Sequence, residues 1–141
     1  MSEYKENEQI YGIFDGQNMV GKDGKVYPIS PNYASKSRLV EGDELKLLFA
    51  EDGSFIYKQI KRAVTKRLRG YVRWEDKLCF IQTGDRSYRI LFQTATFYKL
   101  KNDDEVIILV PLDDNNAIWA AVENVIKTAQ PDDYVEMKIN D

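Results

Sequence analysis

Histidine is absent from this 141-residue chain, and that gap removes several chemistries. Ser–His and Cys–His nucleophile pairs cannot form, and zinc loses its usual nitrogen ligand. Cysteine occurs once, as Cys79. No intramolecular disulfide is possible, which fits a reducing compartment. The run Lys77-Leu78-Cys79-Phe80-Ile81 reads as a strand holding a small hydrophobe, not as an activated thiol. Long apolar runs are missing as well: a run such as Val106 to Pro111 is strand-sized against the roughly 20 residues that span a bilayer. The opening residues Met1 to Glu8 are polar and do not resemble a signal peptide. These features predict a cytoplasmic chain with no membrane partner. Neither a phosphate-binding Gly-x-x-x-x-Gly-Lys-Ser/Thr loop nor a Gly-x-Gly-x-x-Gly turn is present. The acidic pairs Asp103-Asp104, Asp113-Asp114 and Asp132-Asp133 lack calcium-loop spacing and read as solvated turn acids. A non-enzymatic protein without metal or cofactor is expected.

Acidic residues are also absent from one stretch. Between Gly53 and Trp74 there is none, but Lys58, Lys61, Arg62, Lys66, Arg67, Arg69 and Arg73 fall there. The chain has 20 basic and 23 acidic residues; without these seven, 13 basic face 23 acidic, a balance of −10. A basic belt on an acidic body is a candidate polyanion contact. The same belt could be a solvated linker, or pair with acidic faces of its own chain.

What the sequence does contain is a repeat. At an offset of 61, Tyr27-Pro28-Ile29 lies over Tyr88-Arg89-Ile90, and Ala34 over Ala95. Leu39 then matches Leu100, and Asp43-Glu44-Leu45-Lys46-Leu47 matches Asp104-Glu105-Val106-Ile107-Ile108. One inserted residue brings Ile56-Tyr57 over Ile118-Trp119 and Ile60 over Val122. Self-similarity at a fixed period points to duplication. Turn pairs such as Asp15-Gly16, Asp23-Gly24 and Gly84-Asp85 separate short alternating runs. They predict strands near 10–14, 17–21, 25–29, 44–50 and 54–60, then near 70–74, 77–82, 86–92, 105–111 and 117–122. Alternation assigns Tyr27, Ile29, Leu45, Leu47, Ile56 and Ile60 to one core and Tyr88, Ile90, Val106, Ile108, Ile118 and Val122 to another. The strand 106–110 is apolar on both faces and predicts docking against the first half.

Three strands, a short crossover and two more strands are the order of an OB-type barrel. The expectation is an all-β chain of two tandem five-stranded OB-like barrels, with cradle-loop-type barrels as the alternative. The expected divisions are a disordered N-terminus over 1–9, a first barrel over 10–62 and a basic linker over 63–69. A second barrel over 70–126 and an acidic mobile tail over 127–141 complete the chain.

The first copy resembles bacterial translation initiation factor one along Asp23-Gly24-Lys25-Val26 and Ile29-Ser30. The likeness continues through Arg38-Leu39-Val40-Glu41-Gly42-Asp43-Glu44-Leu45-Lys46-Leu47 and ends at Asp52-Gly53-Ser54-Phe55-Ile56-Tyr57-Lys58. Over its full length, with Pro31-Asn32-Tyr33-Ala34-Ser35-Lys36-Ser37 most distinctive, the chain also resembles a family of small bacterial proteins without an assigned function. The first resemblance implies an OB fold and contact with ribosomal RNA. The seven belt cations are therefore candidate RNA contacts, with Lys36 and Arg38 from the basic-polar loop and Trp74 as a stacking platform. The expected function is an RNA-binding or ribosome-associated accessory factor. The alternative is a protein-interaction adaptor that docks a basic partner through its acidic face and β edges.

Overall fold

The computed structural model describes residues 4–113 and 115–129, with side chains from Gln9 onward. The chain is mostly β and forms two five-stranded antiparallel sheets. The first half contains β1 (Tyr4–Phe14), β2 (Asn18–Gly21), β3 (Val26–Pro28), helix α1 (Pro31–Lys36), β4 (Glu44–Ala50) and β5 (Phe55–Lys61). The second contains β6 (Thr65–Glu75), β7 (Leu78–Thr83), β8 (Arg86–Ile90), helix α2 (Phe92–Phe97), β9 (Glu105–Pro111) and β10 (Ala121–Lys127). The sheets run β3-β2-β1-β4-β5 and β8-β7-β6-β9-β10, one strand order used twice.

Local backbone geometry follows the offset of 61. Arg38 and Lys99 end the two helical turns at φ 49° and 53°, and Gly42 and Asp103 precede β4 and β9 at φ 99° and 74°. Glycine suits this left-handed region, and aspartate is among the few other residues that tolerate it. Leu39 N donates to Ala34 O, and Leu100 N to Ala95 O, each at 3.0 Å. Phe14 N donates to Asp43 O, and Val72 N to Asp104 O, each at 2.9 Å.

Each sheet buries one face. Phe14, Met19, Ile29, Leu45 and Leu47 fill the first core; Val72, Ile81, Tyr88, Ile90, Val106, Ile108 and Val122 lead the second. Tyr27 and Ile56 are only half-buried, and Ile60 and Ile118 are exposed. The buried Leu47 and Leu45 stand opposite Tyr57 and Gln59, so alternation puts Ile56, Lys58 and Ile60 on the outer face of β5. Ile118 belongs to the connection that precedes β10. Leu47 stands opposite Tyr57 and Ile108 opposite Val122, so Val122 occupies the place of Tyr57, not of Ile60.

Several expected boundaries move. The stretch 63–69 is not a linker: β6 starts at Thr65 and pairs with β9 from Thr65↔Pro111 to Tyr71↔Glu105. Leu68 on the inner face and arginines on the outer give that segment the alternation of a strand, leaving 62–64 as the connection. Strand β1 reaches back to Tyr4, paired with Ala50, so residues 4–9 are not disordered. The final strand is 121–127 instead of 117–122. Of the tail 127–141, only residues to 129 lie within the described part, including Ala129, whose N–H donates to the buried carboxylate of Asp104. Asp104, expected to be solvated, is 1% exposed.

The second face of β9 is covered differently from expectation. Ile107 and Leu109 are half-buried and stand opposite Arg69 and Arg67 of β6, whose aliphatic stems can cover apolar neighbours. The halves meet elsewhere. Helices α1 and α2 pack together, Thr94 Oγ1 donates to Ser35 Oγ at 2.9 Å, and Leu91 packs on the first core. Glu41 Oε1 accepts the N–H groups of Ile118 and Trp119 at 3.2 and 3.1 Å.

The outer strands of each half approach differently. In the second half, Arg89 of β8 forms a parallel bridge to Trp119: Arg89 N donates to Ile118 O at 2.8 Å and Ala120 N to Arg89 O at 2.9 Å. In the first half, side chains span the gap. The Tyr57 hydroxyl donates to Pro28 O, and the Tyr33 hydroxyl to Tyr57 O at 3.4 Å. Burial, with a smaller contribution from Tyr27, pushes the Tyr57 phenol up to about 12. A phenol in the unfolded chain ionises near about 10, so the folded state holds its proton more tightly. That stabilisation is complete below pH ~10 and is lost as pH rises towards 12. Tyr57→Phe should cost about 1 kcal/mol at pH 7 and remove this part of the alkaline destabilisation, as read by urea unfolding at pH 8, 10 and 11.5.

Candidate functional site

Strand β6 sorts the belt by alternation. Arg67, Arg69, Tyr71 and Arg73 share its outer face, opposite Leu109, Ile107 and Glu105 on β9. On the other side, Tyr71 stands opposite Gln82 and Arg73 opposite Phe80; Gln82 then faces Ser87 and Phe80 faces Arg89. Two rows cross the sheet: Tyr71–Gln82–Ser87, and Arg73–Phe80–Arg89. The second row extends to Trp119, whose ring lies 4.5 Å from the Arg89 guanidinium. Tyr71 is 47% exposed, while Phe80, Arg89 and Trp119 are half-buried. Nε of Arg89 is buried without a hydrogen-bond acceptor among the described residues; the Trp119 ring supplies a cation–π contact to that guanidinium.

The three arginines of β6 each pair with a carboxylate. Arg69 pairs with Glu105 at 3.1 Å, Arg73 with Asp103, and Arg67 with Glu123. The hydrogen bond from Arg67 holds Glu123 below the usual carboxylate range, and Glu123 in turn raises Arg67. The Arg69 and Arg73 side chains stay 64% and 53% exposed, and surface pairs contribute only about 0–1 kcal/mol. Either guanidinium can exchange its carboxylate for a phosphate, which it binds through two parallel hydrogen bonds.

The remaining sequence candidates are dispersed. Lys58 lies on the first sheet opposite Lys46, and Lys61 opposite Glu44. Lys66 is exposed at the start of β6, on the face opposite the arginine row. Arg62 is structural: its guanidinium donates to Ser37 O, Arg38 O and Gln59 Oε1, tying the inter-sheet connection to the end of α1. Lys36 and Arg38 line a cleft between the two helices with Asn32, Ser35, Phe97 and Tyr98. Trp74 turns inward, packs on the second core and donates its indole N–H to Leu100 O at 2.9 Å, so its ring is committed to the interior. Phe80, Arg89 and Trp119 were not among the sequence candidates. Alternation places Phe80 with Gln82 on the outer face of β7, and that signal was available. The Arg89–Trp119 contact depends on tertiary packing and had none.

Burial pushes the Cys79 thiol up to about 12, so it is protonated at neutral pH and a poor nucleophile. No group of three His, Cys, Asp or Glu among the described residues is placed to hold a metal ion. No helix among the described residues is long and apolar enough to cross a membrane. No family model, curated protein or solved structure matches the chain.

Proposed function

We propose that this chain is a non-enzymatic RNA-binding accessory factor built from two duplicated OB-like barrels, which holds single-stranded RNA on the outer face of β6–β7–β8. The carrying observation is the alternation of Arg69, Tyr71 and Arg73 on one strand, with Phe80 and Gln82 beside them. OB folds bind oligonucleotides on the face that includes their second and third strands, whose counterparts here are β7 and β8. Aromatic rings there stack bases and guanidinium groups grip the backbone. Duplication is supported by the shared strand order, and barrel closure by the parallel Arg89–Trp119 bridge. The likeness of residues 23–58 to initiation factor one agrees with RNA as ligand.

The test is fluorescence anisotropy with a labelled single-stranded RNA over a range of salt. The double variant Arg69→Gln/Arg73→Gln should bind more weakly, with a salt slope flatter by about 1.4, at 0.7 for each lost phosphate contact. Tyr71→Ala should weaken binding with the slope unchanged, because stacking releases no counterions. Equal affinity in all three proteins, or no binding by the wild type at low salt, would contradict the proposal.

A second reading, a protein-interaction adaptor, is favoured by a different surface. Ile13, Val20 and Val26 form an exposed apolar strip on the first sheet, ending on the edge strand β3. Partner binding that is insensitive to salt and lost in Val20→Lys would support that reading.

A further inference from the structure

We propose that the first half carries a slot for a planar aromatic heterocycle, a nucleobase, where its outer strands β3 and β5 meet. The same place in the second half is filled by the chain itself. There, the connection 112–120 between β9 and β10 lays Ile118-Trp119-Ala120 along β8 and seats the Trp119 ring beside Arg89. The first half lacks the parts for this. Only 51–54 link β4 to β5, too short to fold back. Pro28 stands in the position of Arg89 and has no N–H to donate.

What remains is a hollow of about 410 Å³ lined by Pro28, Ser30, Tyr33, Phe55, Ile56 and Tyr57. Phe55 is 42% exposed, yet it is held by edge-on contacts with Phe49 and Tyr57 at 5.2 and 6.5 Å. None of the six lining residues is charged, which selects a neutral ring over a phosphate or carboxylate. The backbone acceptors at the seam, Pro28 O and Tyr57 O, are occupied by the Tyr57 and Tyr33 hydroxyls, so an added peptide strand would find two of its partners already taken. A base needs no backbone pairing: it stacks on aromatic rings and offers its edge to hydroxyls. This inference rests on the RNA-binding reading only for the source of the ring, which is either an RNA chain or a free nucleotide.

The test is an NMR titration of the full chain with adenosine monophosphate in one arm and a short single-stranded RNA in the other. Shifts at Tyr33, Phe55, Ile56 and Tyr57 are expected in at least one arm, and the arm identifies the source. Phe55→Ala should weaken the slot's affinity about tenfold, the size of one stacking contact. Ile56→Trp, which fills the hollow with the chain's own ring, should abolish the shifts while the rest of the amide spectrum stays folded. The Arg69→Gln/Arg73→Gln variant should leave the nucleotide shifts intact. RNA bound across β6–β8 with the slot silent in both arms would overturn this inference and spare the functional proposal. Slot shifts with nucleotide but no RNA binding would do the reverse. Wild-type affinity in both Phe55→Ala and Ile56→Trp would also overturn it.

Discussion

Asp43→Ala is expected to destabilise the chain by about 3–5 kcal/mol, from the loss of charge-assisted hydrogen bonds to groups that then stay buried. Asp43 is 1% exposed. One of its carboxylate oxygens accepts Val40 N at 2.9 Å and Gln59 Nε2 at 3.3 Å. The other accepts Ala63 N at 2.8 Å. This one side chain joins the loop after α1 to the point where the chain leaves the first sheet. Asp104 does the same in the second half, accepting Lys101 N and Ala129 N at 2.9 and 2.8 Å. Asp104→Ala should therefore also destabilise strongly. Asn at either site should cost less than Ala, since its amide keeps one acceptor but turns an NH₂ towards an N–H. Urea unfolding that finds Asp43→Ala within about 1 kcal/mol of wild type would mean that water replaces the carboxylate.

Gly16→Ala is expected to cost about 3 kcal/mol and to disturb the contact between the halves. Gly16 has φ +109°, and a Cβ there would lie 2.2–2.8 Å from atoms of Trp119. The backbone conformation alone costs a residue with a side chain about 1–3 kcal/mol; the clash adds to it, because the Trp119 ring is held against the Arg89 guanidinium and its backbone N–H by the Glu41 carboxylate. Trp119 fluorescence should shift to the red as the ring is displaced, while Trp74, packed in the second core, keeps its environment. A double-mutant cycle separates the two costs. In a Trp119→Ala background, Gly16→Ala should retain only the backbone cost. Additive effects would show that the ring gives way freely.

The repeat was legible because the same physical demands recur at one offset. Tyr88, Ile90, Val106 and Ile108 are buried in alternation, as are Ile29, Leu45 and Leu47. Asp43 and Asp104 matched in the sequence, but their role did not show: acidic residues beside Gly42 and Asp103 look like turn residues until the N–H groups of Ala63 and Ala129 arrive from 20 and 25 positions away. The last strand was misplaced because bulges in β10 and the long 112–120 connection change the offset. The basic belt was legible as composition, but its geometry was not. Alternation puts Arg67, Arg69 and Arg73 outside and Trp74 inside, and carboxylates from β9, β10 and the loop before β9 neutralise the three arginines. A charge count along the chain cannot see such cross-strand partners.

Amide chemical-shift mapping with a short single-stranded RNA tests the functional proposal most directly. Shifts concentrated at Arg69 to Arg73 of β6, Phe80 to Gln82 of β7 and Ser87 to Arg89 of β8 are the result expected. RNA that shifts none of these residues, or that shifts only the scattered lysines 36, 58, 61 and 66, would contradict it.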